Sequence, residues 1–201
     1  MRKALKKYIK LRLPNHQFGD YMLREIELKD YKDMFEYGSN PLVTKYLNWG
    51  PFVLPIEAKR SIKSIFIPRL KKGLPIGYAI VDLKKQKMIG TIDFHTKNDL
   101  DHSVEIGYAL HKDYWNQGIM SYALKYLIDL AFNYFDYEKL RIRHMVDNIA
   151  SEMIIKKTPF RYTEETFYQL KKVHDRRIVT LKNYELTKEE YDEYQQSQRN
   201  L

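Results

Sequence analysis

The residues whose types and spacing point most directly to chemistry are Trp115-Asn116-Gln117-Gly118, running on into Ile119-Met120-Ser121. Asn, Gln and Gly in succession are turn residues. From Ile119 onward the apolar residues Met120, Ala123, Leu124, Leu127, Ile128, Ala131 and Phe135 recur at helical spacing. A polar turn that opens a helix aims the first N–H groups of that helix at one point, where the helix dipole adds positive potential. The chemistry this allows is anion binding, typically of a phosphate. Gly118 lets the backbone approach such a ligand closely. A helix that merely follows a loop has the same local pattern. Neither G-x-G-x-x-G nor G-x-x-x-x-G-K-S/T occurs in the chain.

Other chemistries find little support. His16, His95, His102, His111, His144 and His174 are scattered, with no ligand spacing such as H-E-x-x-H, so no metal is expected. His95 and His144 fall on or beside expected strands. No G-x-S-x-G elbow is present for a serine hydrolase. The absence of cysteine excludes disulfides, thiolate metal sites and a cysteine nucleophile, and fits a cytoplasmic protein. Any acyl transfer must therefore be direct or use another nucleophile.

The elements that must position the turn follow from periodicity. Val104 to Leu110 before it is apolar and extended, interrupted by Gly107. Tyr21 to Leu28 reads as a strand and Pro14-Asn15-His16 as a turn ahead of it, with a hairpin or short extension at this end. Glu27 to Gly38 is an expected helix with Leu28, Tyr31, Met34 and Phe35 on one face and Gly38 as its end. Asn40-Pro41 starts a short helix that Trp49-Gly50-Pro51 breaks. Pro55 opens a third, with Ala58, Ile62, Ile65 and Phe66 as its stripe, ending between Pro68 and Gly73. Ile76 to Leu83 and Met88 to Phe94 are expected strands joined through Lys84-Lys85-Gln86-Lys87. Beyond the central helix come a strand over Leu140–Val146, a short helix from Asn148 to Lys157 capped by Asn148 or Asp147, and strands over Phe160–Leu170 and Arg177–Leu186. Thr187-Lys188-Glu189-Glu190 is a capping box that starts a polar tail helix. A mixed sheet flanked by helices follows.

With 201 residues, 44% hydrophobic and 14% aromatic, the chain is expected to fold as a single domain over residues 21–201, behind a basic extension over residues 1–20. No apolar run is long enough for a membrane span, and no apolar signal core follows the N-terminal charges. The net charge of +9 favours anionic partners. Much of the excess lies at Arg2, Lys3, Lys6, Lys7, Lys10 and Arg12, either as a solvated arm or as a contact for RNA or the ribosome.

Glu105-Ile106-Gly107-Tyr108 precedes the turn, and Asn148-Ile149-Ala150-Ser151 lies one strand further on. This order resembles the GNAT acetyltransferases, and within them the RimJ/RimL type, over roughly Tyr21 to Tyr191. The resemblance implies a GNAT-like α+β fold, an α/β mixed sheet that is central, mostly antiparallel and splayed between helices. It implies acetyl-CoA as cosubstrate and direct acetyl transfer to a primary amine. The acceptor it implies is a protein N-terminal α-amine of the ribosomal-protein type. Related enzymes act on small amines, and an oligomer is open. In the family the turn has the form Q/R-x-x-G-x-G/A and holds the pyrophosphate. Here it is Trp115-x-x-Gly118-x-Met120, which makes Trp115, Asn116, Gln117, Gly118, Ile119, Met120 and Ser121 the expected phosphate-binding residues.

Tyr108, Ala109 and Leu110 correspond to the strand whose backbone binds the pantetheine arm, with Gly107 compatible with a bulge. An ordinary central strand is the alternative. Asn148 contacts the same arm or caps its helix. Glu105 is the candidate base for the ammonium that an alkylamine presents at neutral pH, with a structural ion pair as the alternative. Ser151 occupies the position where RimJ/RimL-type enzymes carry a serine near the thioester sulfur. The tyrosine acid many GNAT enzymes place seven residues after the asparagine is Ile155 here. Pro159 stands where glycine is usual, and Tyr122 where glutamate is frequent. These departures keep open a GNAT-fold module that binds CoA or a protein without turnover. A basic RNA-binding protein is a further alternative.

Overall fold

A computed structural model describes residues 11–172 and 175–199. Arg2, Lys3, Lys6, Lys7, Lys10 and His174 lie outside the described residues. The strands are β1 (His16–Phe18), β2 (Tyr21–Glu25), β3 (Tyr78–Asp82), β4 (Lys87–Asn98), β5 (Ser103–Leu110), β6 (Lys139–Met145), β7 (Arg161–Gln169) and β8 (Ile178–Thr187). They form a mixed sheet in the order β1-β2-β3-β4-β5-β6-β8-β7. The helices are α1 (Tyr31–Gly38), α2 (Pro41–Thr44), α3 (Pro55–Ser61), α4 (Ile119–Asn133), α5 (Ile149–Ile155) and α6 (Lys188–Arg199). The chain divides into two compact units, one up to His95 together with Gly107–Ile119, the other Thr96–Ile106 together with Met120 onward. The division runs through β4 and β5.

In the first unit, β1 and β2 form a hairpin with Gln17 opposite Met22. His16 therefore belongs to a strand, and the turn lies instead at Gly19, whose φ is +53°. Leu28 does not join the buried face of α1. It sits in a separate 3-10 turn, Leu28–Asp30, and is 40% exposed, while Met34 and Tyr37 are buried. Gly38 does not end the helix through a left-handed conformation. Its role is close packing, since an added Cβ would lie 2.6 Å from the Phe52 ring.

After α3 the helix widens into a π turn, Ile62–Phe66, and then tightens into a 3-10 turn, Ile67–Lys72, closed by left-handed Gly73. The π turn keeps Ile62 and Phe66 on the buried face, spaced four apart, and turns Ile65 outward, contrary to its place in the expected stripe. The buried residues Ile26, Met34, Tyr37, Ala58, Ile62 and Phe66 share one cluster with Ala79, Val81 and Met88 of the sheet.

In the second unit, Ser103–Ile106 of β5 pair in parallel with Lys139–Ile142 of β6. Strands β6, β8 and β7 are antiparallel neighbours. Arg141 bonds the Glu185 carboxylate at 2.8 Å, and also Ser103 and Asp101, stapling three chain segments. Helix α4 buries Ala123, Leu124, Leu127, Ile128 and Ala131 as its periodicity requires. It ends at Asn133, so Phe135 lies beyond it and Phe132 takes the buried place, stacked on Tyr191 at 5.0 Å. Thr187 and Glu190 form the expected reciprocal capping box: the Thr187 N–H donates to the Glu190 carboxylate at 2.9 Å and the Glu190 N–H to the Thr187 hydroxyl at 3.2 Å.

Candidate functional site

The first unit contributes a braced turn. His111 leaves β5 with its N–H donating to the Ile89 carbonyl at 2.7 Å. Its Nδ1 accepts the Asp113 N–H at 3.2 Å, which starts a single 3-10 turn over Lys112–Tyr114. Tyr114 is the post beneath the turn. It is buried, its hydroxyl donates to Asp82 at 2.8 Å, and it accepts from Lys85 Nζ at 3.0 Å. Burial, together with Asp82, pushes the Tyr114 phenol up against the opposing pull of Lys85. Burial also works against ionisation of Asp82, but the Lys85 N–H and the Tyr114 hydroxyl outweigh it and hold the carboxyl below its ordinary range.

Three side chains then fix the turn itself. The Trp115 indole N–H donates to the Leu110 carbonyl at 2.8 Å, tying the turn to the end of β5. Gln117 donates to the Asp113 carbonyl at 2.9 Å and accepts from the Tyr21 hydroxyl at 3.3 Å. Asn116 and Gly118 both adopt positive φ, +60° and +77°. Alternation of hand along successive residues turns backbone N–H groups toward one side, the geometry of an anion-binding nest. Trp115 through Gly118 are exposed, and Ile119 and Met120 are buried. The Met120 side chain is therefore buried, unlike the four residues that open the turn.

Gly107 and Gly90 mark close approaches in the same unit. An added Cβ on Gly107 would stand 2.9 Å from the His95 ring. One on Gly90 would stand 2.4 Å from the Ala109 carbonyl. Ala109 and Leu110 are buried and Tyr108 is half-buried.

The second unit carries Glu105, Met120, Ser121, Asn148 and Ser151. Glu105, half-buried, accepts Arg143 Nε at 2.7 Å. Sequence reasoning did not name Arg143. Strand alternation in Arg141-Ile142-Arg143 was the signal that puts two cations on one face of β6. Asn148 caps α5. Its Oδ1 accepts the Ser151 N–H at 3.2 Å and its Nδ2 donates to Ser151 Oγ at 3.0 Å. Because Oγ accepts from Asn148, the Ser151 hydroxyl proton is directed elsewhere. Ile155 is buried. The exit of α5 proceeds without a glycine: both the hydroxyl and the N–H of Thr158 bond the Ile155 carbonyl, at 2.6 and 2.9 Å.

His144 is buried, stacked on Tyr184, with Nδ1 against the Met145 carbonyl at 2.9 Å and Nε2 against the Tyr184 hydroxyl at 3.2 Å. Burial holds its pKa below the ordinary value. Among the described residues no helix is long and apolar enough to cross a membrane, and no group of three metal-ligating residues occurs.

The turn that opens α4 lies within the part of the chain that matches a known family. The acetyltransferase (GNAT) domain matches residues 21–161, and the chain belongs to that family of N-acetyltransferases. It is 28% identical to N-acetyltransferase p20 of Bacillus licheniformis over 84% of this chain and 93% of that protein. It is 30% identical to the ribosomal-protein-serine acetyltransferase of Escherichia coli over 57% of this chain and 63% of that one. The fold is shared with the ribosomal alpha-N-protein acetyltransferase RimL in complex with coenzyme A, at a TM-score of 0.68 and 20% identity, over 85% of this chain and 95% of that one.

Proposed function

We propose that this protein transfers acetyl from acetyl-CoA directly to a primary amine, and that the amine is a protein N-terminal α-amine. The nest at Asn116–Gly118 carries this reading. With Trp115, Gln117, Ile119, Met120 and Ser121 it takes the pyrophosphate on backbone N–H groups. The backbone of Tyr108, Ala109 and Leu110 holds the pantetheine arm, with Asn148 as a second contact. The acceptor of the related E. coli enzyme, a ribosomal protein serine, and the RimL likeness support a polypeptide acceptor.

In the reaction the amine nitrogen forms a bond to the carbonyl carbon and the carbon–sulfur bond breaks. Glu105 receives the proton that leaves the nitrogen, with Arg143 orienting its carboxylate. The Ser151 hydroxyl, positioned by Asn148, donates to the departing thiolate. Without cysteine no acetyl-cysteine intermediate forms. A CoA-binding module without turnover is the second reading. It is favoured by the engagement of Glu105 with Arg143, because the guanidinium competes with an amine for that carboxylate.

Thermal unfolding with and without acetyl-CoA tests the binding half. Ligand at a hundredfold excess over its dissociation constant adds about 2.7 kcal/mol, a shift of roughly 5–10 °C for a chain this size. No shift at millimolar acetyl-CoA would overturn the reading.

A further inference from the structure

The helical rod from Pro55 to Lys72 in the first unit carries a face that the acetyl-transfer reading does not use. Its buried row is Ala58, Ile62, Phe66 and Arg69, spaced four, four and three. The row two residues earlier, Ile56, Arg60, Ser64 and Ile67, has the same spacing and is exposed throughout. The exposure of all four residues puts this row on the solvent side of the rod. Ile56 is 44% exposed, Ile65 53% and Ile67 38%, with Val53 and Leu54 ahead of the rod at 72% and 58%. Single apolar side chains on a surface need no explanation, but apolar side chains following one another along one rod mark an interaction surface.

Cations outnumber acids on this rod, where Glu57 lies in the field of Arg60. Arg60, Lys63, Lys71 and Lys72 are exposed, and the acid within the rod, Glu57, is engaged by the N–H groups of Val53 and Leu54. Arg69 is turned inward to Asp93 at 2.9 Å.

We propose that this face docks a polypeptide segment that carries acidic side chains among apolar ones. A helix lying on a lipid surface separates its apolar face from its basic one. Here Arg60 stands within the row, between Ile56 and Ile67. An isologous contact with a second copy would set Arg60 and Lys63 against a surface of their own sign. An acidic, apolar segment satisfies both features: its carboxylates meet the guanidinium and ammonium groups, and its apolar side chains cover the isoleucines.

The test uses the full chain and a short fluorescein-labelled synthetic peptide of Glu, Asp, Leu and Phe, N-acetylated so that it cannot be an acceptor. The control peptide replaces Glu and Asp by Gln and Asn. Fluorescence anisotropy is expected to show binding of the acidic peptide, weakened by salt. Arg60→Glu with Lys63→Glu should weaken it about tenfold or more, equivalent to roughly 1.4 kcal/mol, and Ile56→Ser with Ile67→Ser should do so separately. The acetyl-CoA thermal shift serves as the check that the variants are folded. Equal binding of both peptides, or charge-reversed protein binding like wild type, overturns the proposal. So does preferential binding to phosphatidylglycerol vesicles, or a dimer by sedimentation that Ile56→Ser abolishes.

Discussion

Replacing Gly118 by alanine separates the two things that glycine does. Gly118 has φ +77°, and a Cβ built on it meets no atom within 4 Å. Crowding therefore contributes nothing, and the cost is that of holding an L-residue in the left-handed region, about 1–2 kcal/mol. For a chain of this size that lowers Tm by roughly 2–8 °C. Gly19 supplies the control. Its φ is +53°, and its Cβ position is equally open. Gly19→Ala should cost a similar amount of stability.

Only Gly118→Ala relaxes the turn that presents the N–H groups of Asn116 to Ile119, so only it should lose most of the shift that acetyl-CoA produces. The assay is differential scanning fluorimetry of wild type and both variants across an acetyl-CoA titration. If Gly118→Ala keeps the full ligand shift while losing stability as Gly19→Ala does, the turn is structural and the donor-site assignment fails.

Ser151→Ala should lower kcat by roughly 10- to 100-fold, the effect of one hydrogen bond to a developing charge, with KM for acetyl-CoA little changed; steady-state kinetics with full kcat would remove Ser151 from the mechanism. Glu105→Gln should cut turnover while sparing the acetyl-CoA thermal shift, and unchanged turnover would leave Glu105 as the ion-pair partner of Arg143 alone. Thr187→Ala removes one half of the capping box and should cost about 1 kcal/mol, a fall in Tm of roughly 2–4 °C. His144 has a pKa held below 6.5 by burial, among Glu152, Lys156, Lys182 and Tyr184. The unfolded chain therefore takes up a proton that the native state declines, and stability falls as pH drops below about 6.5. His144→Gln should flatten that part of a urea-denaturation pH profile.

The sequence was most legible where one local rule decides the outcome. The Thr187–Glu190 box, the Asn148 cap and the stripe of α4 from Met120 to Ala131 needed only spacing and capping chemistry. It was least legible where a neighbour from afar decides. Gly38 reads as a helix end, and α1 does end there, but the Phe52 ring that crowds it lies beyond the helix; the His95 ring that crowds Gly107 comes from another strand. Ile65 fits the α-helical stripe, and only the π turn puts it outside. At the candidate site the turn and its glycine were readable. Its bracing was not, because Tyr21, Asp82 and Lys85 come from strands and loops far from Trp115 in sequence. Arg143 beside Glu105 depended on the register of β6 against β5, which no local pattern gives.

Thiol release from acetyl-CoA in the presence of a panel of peptides with free α-amines separates transfer from binding alone. With no cysteine in the chain, every thiol detected comes from the cosubstrate. Thiol release is expected to need both the peptide and the enzyme, matched mole for mole by acetyl on the peptide N-terminus in the mass spectrum. A clear acetyl-CoA thermal shift with no thiol release for any peptide or small amine would contradict this expectation, and would leave a protein that holds the donor without transferring its acetyl group.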